Sequence, residues 1–164
     1  VAPMKLDRRQ FVSVAPLLFA ATVTAEAQAP TAAAPEDIRV RGRVVCLTEE
    51  LQRLHQVQPD CETRGHVYAL KTTEGQYYPL LPTDSAAAVW LDARYREREL
   101  QVTARRFPQT SFIEVIKYQS WRDNKLYNLD YYCAVCNIST HKPEACVCCQ
   151  DPVEFRELPA ETQQ

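Results

Sequence analysis

The sequence predicts a mainly β chain: a small barrel carrying one short helix, with a compact four-cysteine ribbon behind it. Three observations predict it. Apolar and polar residues alternate along several short runs, the period of a half-buried strand. Turn signals such as Thr73-Glu74-Gly75 and Asp123-Asn124 separate those runs. Finally, five of the seven cysteines fall between Cys133 and Cys149, in an arrangement that contains two C-x-x-C pairs.

The elements follow in order. Ile38, Val40 and Val44 alternate with Arg39, Arg41 and Arg43, which predicts a first strand with one face outward. A polar loop broken by Pro59-Asp60 comes next, then two short strands, 66–71 and 76–81, around the Gly75 turn. Pro82-Thr83-Asp84-Ser85 reads as a helix start, with Thr83 or Asp84 capping free amides. Ala86, Val89, Trp90 and Ala93 then recur at i, i+3, i+4 and i+7, one apolar face of a short helix. Strands resume over 99–106, 111–121 and 125–132.

Three strands, a helix and two further strands resemble the element order of an OB-fold over roughly residues 38–121, within a barrel domain of 38–130. The resemblance implies a scaffold for oligonucleotides, oligosaccharides or protein contacts. Arg39, Arg41 and Arg43 are either a ligand-facing stripe or the solvated face of an outer strand; no aromatics interleave with them, which favours the second. A net charge of −2 offers no electrostatic case for nucleic acid, so none is expected as a partner. Arg94, Arg96 and Arg98, interspersed with Glu97 and Glu99, read as a salt-bridged surface.

The first 29 residues read as an export signal. From Met4 the chain has a basic stretch, a moderately apolar run over Val12–Ala25, and small-residue cleavage patterns at Ala25-x-Ala27 and Ala27-x-Ala29. Arg8-Arg9-Gln10-Phe11 resembles the twin-arginine signature, with Val12 and Ser13 in place of the usual leucine and lysine. The resemblance implies passage in the folded state to a periplasmic or extracellular location. Residues 30–37, rich in proline and alanine, form a spacer. No stretch approaches the ~20 apolar residues of a membrane span, so the mature chain is expected to be soluble.

Each C-x-x-C pair, Cys133/Cys136 and Cys146/Cys149, can place two thiolates on one tight turn, and two turns complete a tetrahedron around zinc or iron. In an exported chain two disulfides are the competing reading. Residues 131–158 resemble the rubredoxin-like tail of rubrerythrins: Tyr132-Cys133-x-x-Cys136, a polar loop, Cys146-x-x-Cys149, then Pro152-Val153-Glu154-Phe155. The resemblance implies Cys133, Cys136, Cys146 and Cys149 as ligands. It departs in a shorter loop, in Asn137 and Gln150 where that family has glycine after each knuckle, and in the added thiol of Cys148. A zinc ribbon fits the same residues. Zinc would staple a segment too small to fold unaided, worth about 10–16 kcal/mol of apparent binding energy; iron would make a one-electron carrier. A closed four-sulfur site has no open position for substrate, so the chain reads as non-enzymatic.

The other candidates are simpler. His141, between the knuckles, reads as a solvated loop histidine because four thiolates already satisfy an ion. Cys148 is either an inert, partly buried thiol or a reactive one. Cys46 and Cys61 flank the first long loop and are expected to form a disulfide, worth roughly 3 kcal/mol in chain-entropy terms. His55 and His66 show no ligand spacing and read as structural, and Tyr127, Tyr131 and Tyr132 as packing at the junction with the ribbon. Residues 159–164 form a tail. The leading expectation is an exported zinc protein with a protein partner; the alternatives are an iron electron carrier, or a ligand-binding OB module with a disulfide-bonded tail.

Overall fold

The computed structural model describes residues 33–160. The export-signal residues, Arg8, Arg9 and Phe11 among them, lie outside the described residues, as does the end of the tail. Eight strands form one antiparallel sheet: β1 (Glu36–Cys46), β2 (Tyr68–Lys71), β3 (Tyr77–Pro79), β4 (Glu99–Arg106), β5 (Ile113–Arg122), β6 (Lys125–Cys133), β7 (Ile138–Thr140) and β8 (Glu154–Pro159). The order is β3-β2-β1-β4-β5-β6-β7, with β8 pairing β6. The path is open, but an isolated parallel bridge joins Leu80, just after β3, to Ile113 at the start of β5. There the Leu81 amide donates to the Ile113 carbonyl at 2.9 Å.

The inward residues of β1, β2, β4 and β5, among them Val44, Leu70, Leu100, Val102, Ile113 and Val115, make one core with Val89 and Tyr95. The alternation read from the sequence is the physical cause: period 2 sends every second side chain to the same face. Arg39, Arg41 and Arg43 accordingly lie on the exposed face of β1. Arg41 stacks over Trp121 at 4.2 Å and sits 3.7 Å from Glu99.

β1 changes partner along its length, pairing β4 over Glu36–Arg43 and β2 over Arg43–Cys46. The exchange happens beside Gly42, where the β2 strand end crosses so closely that a Cβ would lie 2.2 Å from the Lys71 carbonyl oxygen. Only a residue without a side chain allows this approach.

The helical segments differ from the sequence reading. Residues read as a polar loop form α1 (Leu47–His55) and α2 (Cys61–Arg64). Glu49 and Glu50 in the first turn of α1, with Arg53 and His55 in the last, suit the helix dipole. Leu47, Leu51 and Leu54 recur at i, i+4 and i+7, a helical spacing that the loop reading passed over, although no α1 residue is buried. The one short helix expected after Pro82 is three pieces: a 3-10 turn at Asp84–Ala86, α3 (Ala88–Leu91) and α4 (Ala93–Arg96). Asp92 is extended between them, and its carboxylate accepts the Arg94 amide at 2.9 Å, capping α4. Neither Thr83 nor Asp84 caps the first turn through its side chain; the Thr83 carbonyl accepts from Ala86 instead.

Gly42→Ala is expected to cost at least ~2–3 kcal/mol, because a backbone carbonyl cannot yield as a flexible side chain does. Urea unfolding would show a lower midpoint; an unchanged midpoint would mean that the β1–β2 crossing relaxes freely.

Candidate metal centre

β6 runs out of the sheet directly into the cysteine segment. Its last residue, Cys133, begins a tight turn closed by the Asn137 amide donating to the Cys133 carbonyl at 2.9 Å. The second turn repeats that form: the Gln150 amide donates to the Cys146 carbonyl, also at 2.9 Å. Asn137 (φ 55°) and Gln150 (φ 63°) both adopt the left-handed backbone, which explains why the resembling family uses glycine there. The local geometry is kept here without it.

The turns face each other. One sulfur from each of Cys133, Cys136, Cys146 and Cys149 lies within 4.8 Å of the others, Cys133 Sγ and Cys149 Sγ being 3.4 Å apart. Sulfurs at ~2.3 Å from a tetrahedral zinc would be roughly 3.8 Å apart, so the donor set fits a tetrathiolate ion. Cys133 and Cys146 are buried, Cys136 and Cys149 partly so. Cys148 is exposed and outside this set, with its thiol against Cys136. His141 is exposed and also outside it.

The four thiols share protons unequally. The amides of Cys149 and Cys148 donate to Cys146 and hold its thiol down to about 7. Hydrogen bonds from Cys136 to the Cys148 and Cys149 thiols push Cys136 up. The Asp151 amide lowers Cys149, but burial and the Cys133 thiol outweigh it and raise Cys149 to about 11. Four thiolates cannot coexist at these separations without a cation, and a divalent ion would reverse the order by deprotonating them all.

The approach to the centre is braced by tyrosines and ion pairs. Tyr131 is buried, packs with Tyr95 and Phe155, and donates its hydroxyl to Asp92 at 2.6 Å. Next to it, Tyr132 donates to Asn137 and lies under Arg156. Arg156 on β8 forks onto Asp130 on β6 at 2.7 and 3.0 Å. β8 therefore returns beside β6 in register, Tyr131 opposite Phe155 and Tyr132 opposite Glu154. Tyr127, in contrast, lies under Arg122, away from the ribbon end of β6.

Cys46 and Cys61 come together as expected, but as free thiols with sulfurs 3.9 Å apart, where a disulfide needs about 2.0 Å. His66, read as structural, places Nδ1 at 3.3 Å from Cys46 Sγ. The sequence signal was weak, since Cys46 and His66 are twenty residues apart with two helices between them. His55 is exposed on the last turn of α1.

Among the described residues no helix is long and apolar enough to cross a membrane. Comparison with family models, with curated proteins and with solved structures gives no match.

Burial opposes the charge of Asp92, yet the Arg94 guanidinium, the Tyr131 hydroxyl and the Arg94 amide outweigh it and hold the carboxyl at about 2, below its ordinary 3.8. A depressed carboxylate stabilises the fold fully above its unfolded value and ceases to do so as pH falls through its folded one. Stability should therefore fall by ~2 kcal/mol between roughly pH 4 and pH 2 through Asp92, and Asp92→Asn should flatten that limb of the unfolding curve. Tyr131→Phe removes a hydrogen bond to a charged acceptor and should cost about 1.5–3 kcal/mol, read as a lower urea midpoint.

Proposed function

We propose that Cys133, Cys136, Cys146 and Cys149 hold one zinc ion in a closed structural centre, and that the chain is an exported, non-enzymatic protein whose ribbon serves as a structural and interaction module on an OB-like sheet. The single observation that carries this is the convergence of four sulfurs within 4.8 Å on two turns of the same form. When bound, zinc supplies a redox-inert cross-link between the two turns. The chain's own residues do the rest. β6 and β8 deliver the turns, the amides of Cys148 and Cys149 stabilise thiolate at Cys146, and the Arg156–Asp130 fork keeps the two strands in register.

An OB-like reading draws support from β1 pairing both β2 and β4, from the helical pieces between β3 and β4, and from the Leu80–Ile113 contact. Support for an interaction role comes from the turn tips, where Val135 is 72% and Val147 85% exposed; apolar residues so open beside a rigid centre suit a protein partner. Export to the periplasm or beyond rests on the basic, apolar and small-residue pattern of residues 1–29. A tetrathiolate centre filled before passage would be protected from oxidation outside.

The test is metal analysis with an absorption spectrum on the chain exported through its own signal. A colourless ion lost in Cys136→Ser and Cys149→Ser, but kept in Cys148→Ser, is the expected result. A reducible visible band lost in the same variants would assign iron and electron carriage instead. Sulfurs consumed in disulfides, with no ion, would overturn both. In the loaded protein an alkylating reagent should modify Cys148 well before the four ligands, because its thiol is the exposed one of the segment and lies outside the ligand set.

A further inference from the structure

We propose a second, independent metal site on the opposite part of the sheet, in which Cys46, Cys61, His66 and Glu49 bind a zinc-class divalent ion. Four separate pieces of chain bring these groups together. Cys46 ends β1, Glu49 lies in the first turn of α1, Cys61 begins α2, and His66 precedes β2. One ligand atom from each lies within 4.8 Å of all the others.

Three of the six separations match tetrahedral edges to within about 0.3 Å, and the other three lie within 4.8 Å. With zinc–sulfur near 2.3 Å and zinc–nitrogen or zinc–oxygen near 2.0–2.1 Å, the edges should be roughly 3.8 Å for S–S, 3.6 Å for S–N and 3.4 Å for N–O. The structure has 3.9 Å between the two sulfurs, 3.3 Å from Cys46 Sγ to His66 Nδ1, and 3.5 Å from His66 Nδ1 to Glu49 Oε1. A disulfide, by contrast, would require the sulfurs to close to about 2.0 Å and would give the imidazole and the carboxylate no reason to converge on them. Two thiolates, an imidazole and a carboxylate form a mixed borderline-soft set that zinc accepts.

The surroundings hold these ligands in place. The Thr48 hydroxyl stands 3.0 Å from Cys46 Sγ and 2.9 Å from Cys61 Sγ, positioned as an outer hydrogen-bonding partner to both. The His66 ring stacks on Tyr68, and its carbonyl accepts from Trp90 Nε1 at 3.2 Å. The Leu47 amide, donating to the Val67 carbonyl at 2.7 Å, ties the end of β1 to the segment that carries His66. Unlike the four-cysteine centre, this site opens on one side. Glu49, Cys61 and His66 line a cleft of about 410 Å³ with Pro59 and Asp60, and the Glu49 side chain is 57% exposed. A carboxylate so placed can be displaced, so the ion would exchange more readily than one enclosed by four sulfurs.

The test is cobalt(II) titration of the reduced full-length chain, followed by its absorption spectrum, with peptide mapping of the chain isolated through its own export route. Two ions per chain are expected. Cys61→Ser and His66→Ala should each remove one and leave the tetrathiolate spectrum of the ribbon. Thr48→Val, which keeps all four ligands, should weaken the same ion about 10–100-fold while leaving the ribbon's ion in place. A single ion that Cys61→Ser removes and Cys133→Ser spares would uphold this site and remove the ribbon's. A single ion indifferent to Cys61→Ser and His66→Ala would overturn the proposal, as would a Cys46–Cys61 disulfide in the exported chain.

Discussion

Tyr131 joins the parts of this molecule that would otherwise be separate. Its ring is buried against Tyr95 and Phe155, its hydroxyl donates to Asp92, and its backbone lies in register with Thr140 of β7 and Phe155 of β8. Two residues later the chain reaches Cys133. A metal ribbon has too little apolar surface to order itself, so the direction in which its first sulfur points must come from elsewhere. Here it comes from β6, which pairs with β5 over Lys125–Asn128, with β8 over Tyr127–Tyr132 and with β7 over Tyr131–Cys133. The hydrogen bond to Asp92 sets the depth of that strand against the helical pieces, and Arg156 with Asp130 sets the lateral spacing of β8.

The two thiol clusters show the same chemistry under opposite constraints. At the ribbon, two short turns of one form bring all four donors from local sequence, and the result is enclosed and free of other ligand types. On the other part of the sheet, each donor arrives from a different element, and the ligands are mixed and partly open to solvent. Enclosure suits a staple and slow exchange. Openness suits an ion that responds to its surroundings. One chain carrying both would couple its thiol chemistry at two levels of protection.

Much of the architecture was legible. Strands alternate where the sequence alternates: Glu99–Arg106 was read with its observed bounds, and the Asp123-Asn124 turn has both residues left-handed, φ 50° and 61°, as a tight hairpin requires. The helices were less legible for two distinct reasons. α1 has a short apolar stripe, Leu47, Leu51 and Leu54 at i, i+4 and i+7, but none of it is buried and it is only two turns long. The segment after Pro82 has the right stripe, but Asp92 leaves the helix to bind Arg94 and Tyr131, a contact thirty-nine residues away in the case of Tyr131.

The sequence by itself determined the β period, the positions of the hairpin turns and the four-sulfur set of the ribbon. All of these are local: side-chain alternation, left-handed turn residues and C-x-x-C spacing act over two to five residues and need no distant partner. Only the tertiary structure decided that Gly42 must pass beneath the Lys71 carbonyl, that Asp92 clamps Tyr131, and that His66 and Glu49 meet Cys46 and Cys61. Those contacts join residues far apart in the chain, and their closeness follows from strand pairing and core packing, which no spacing along the chain records.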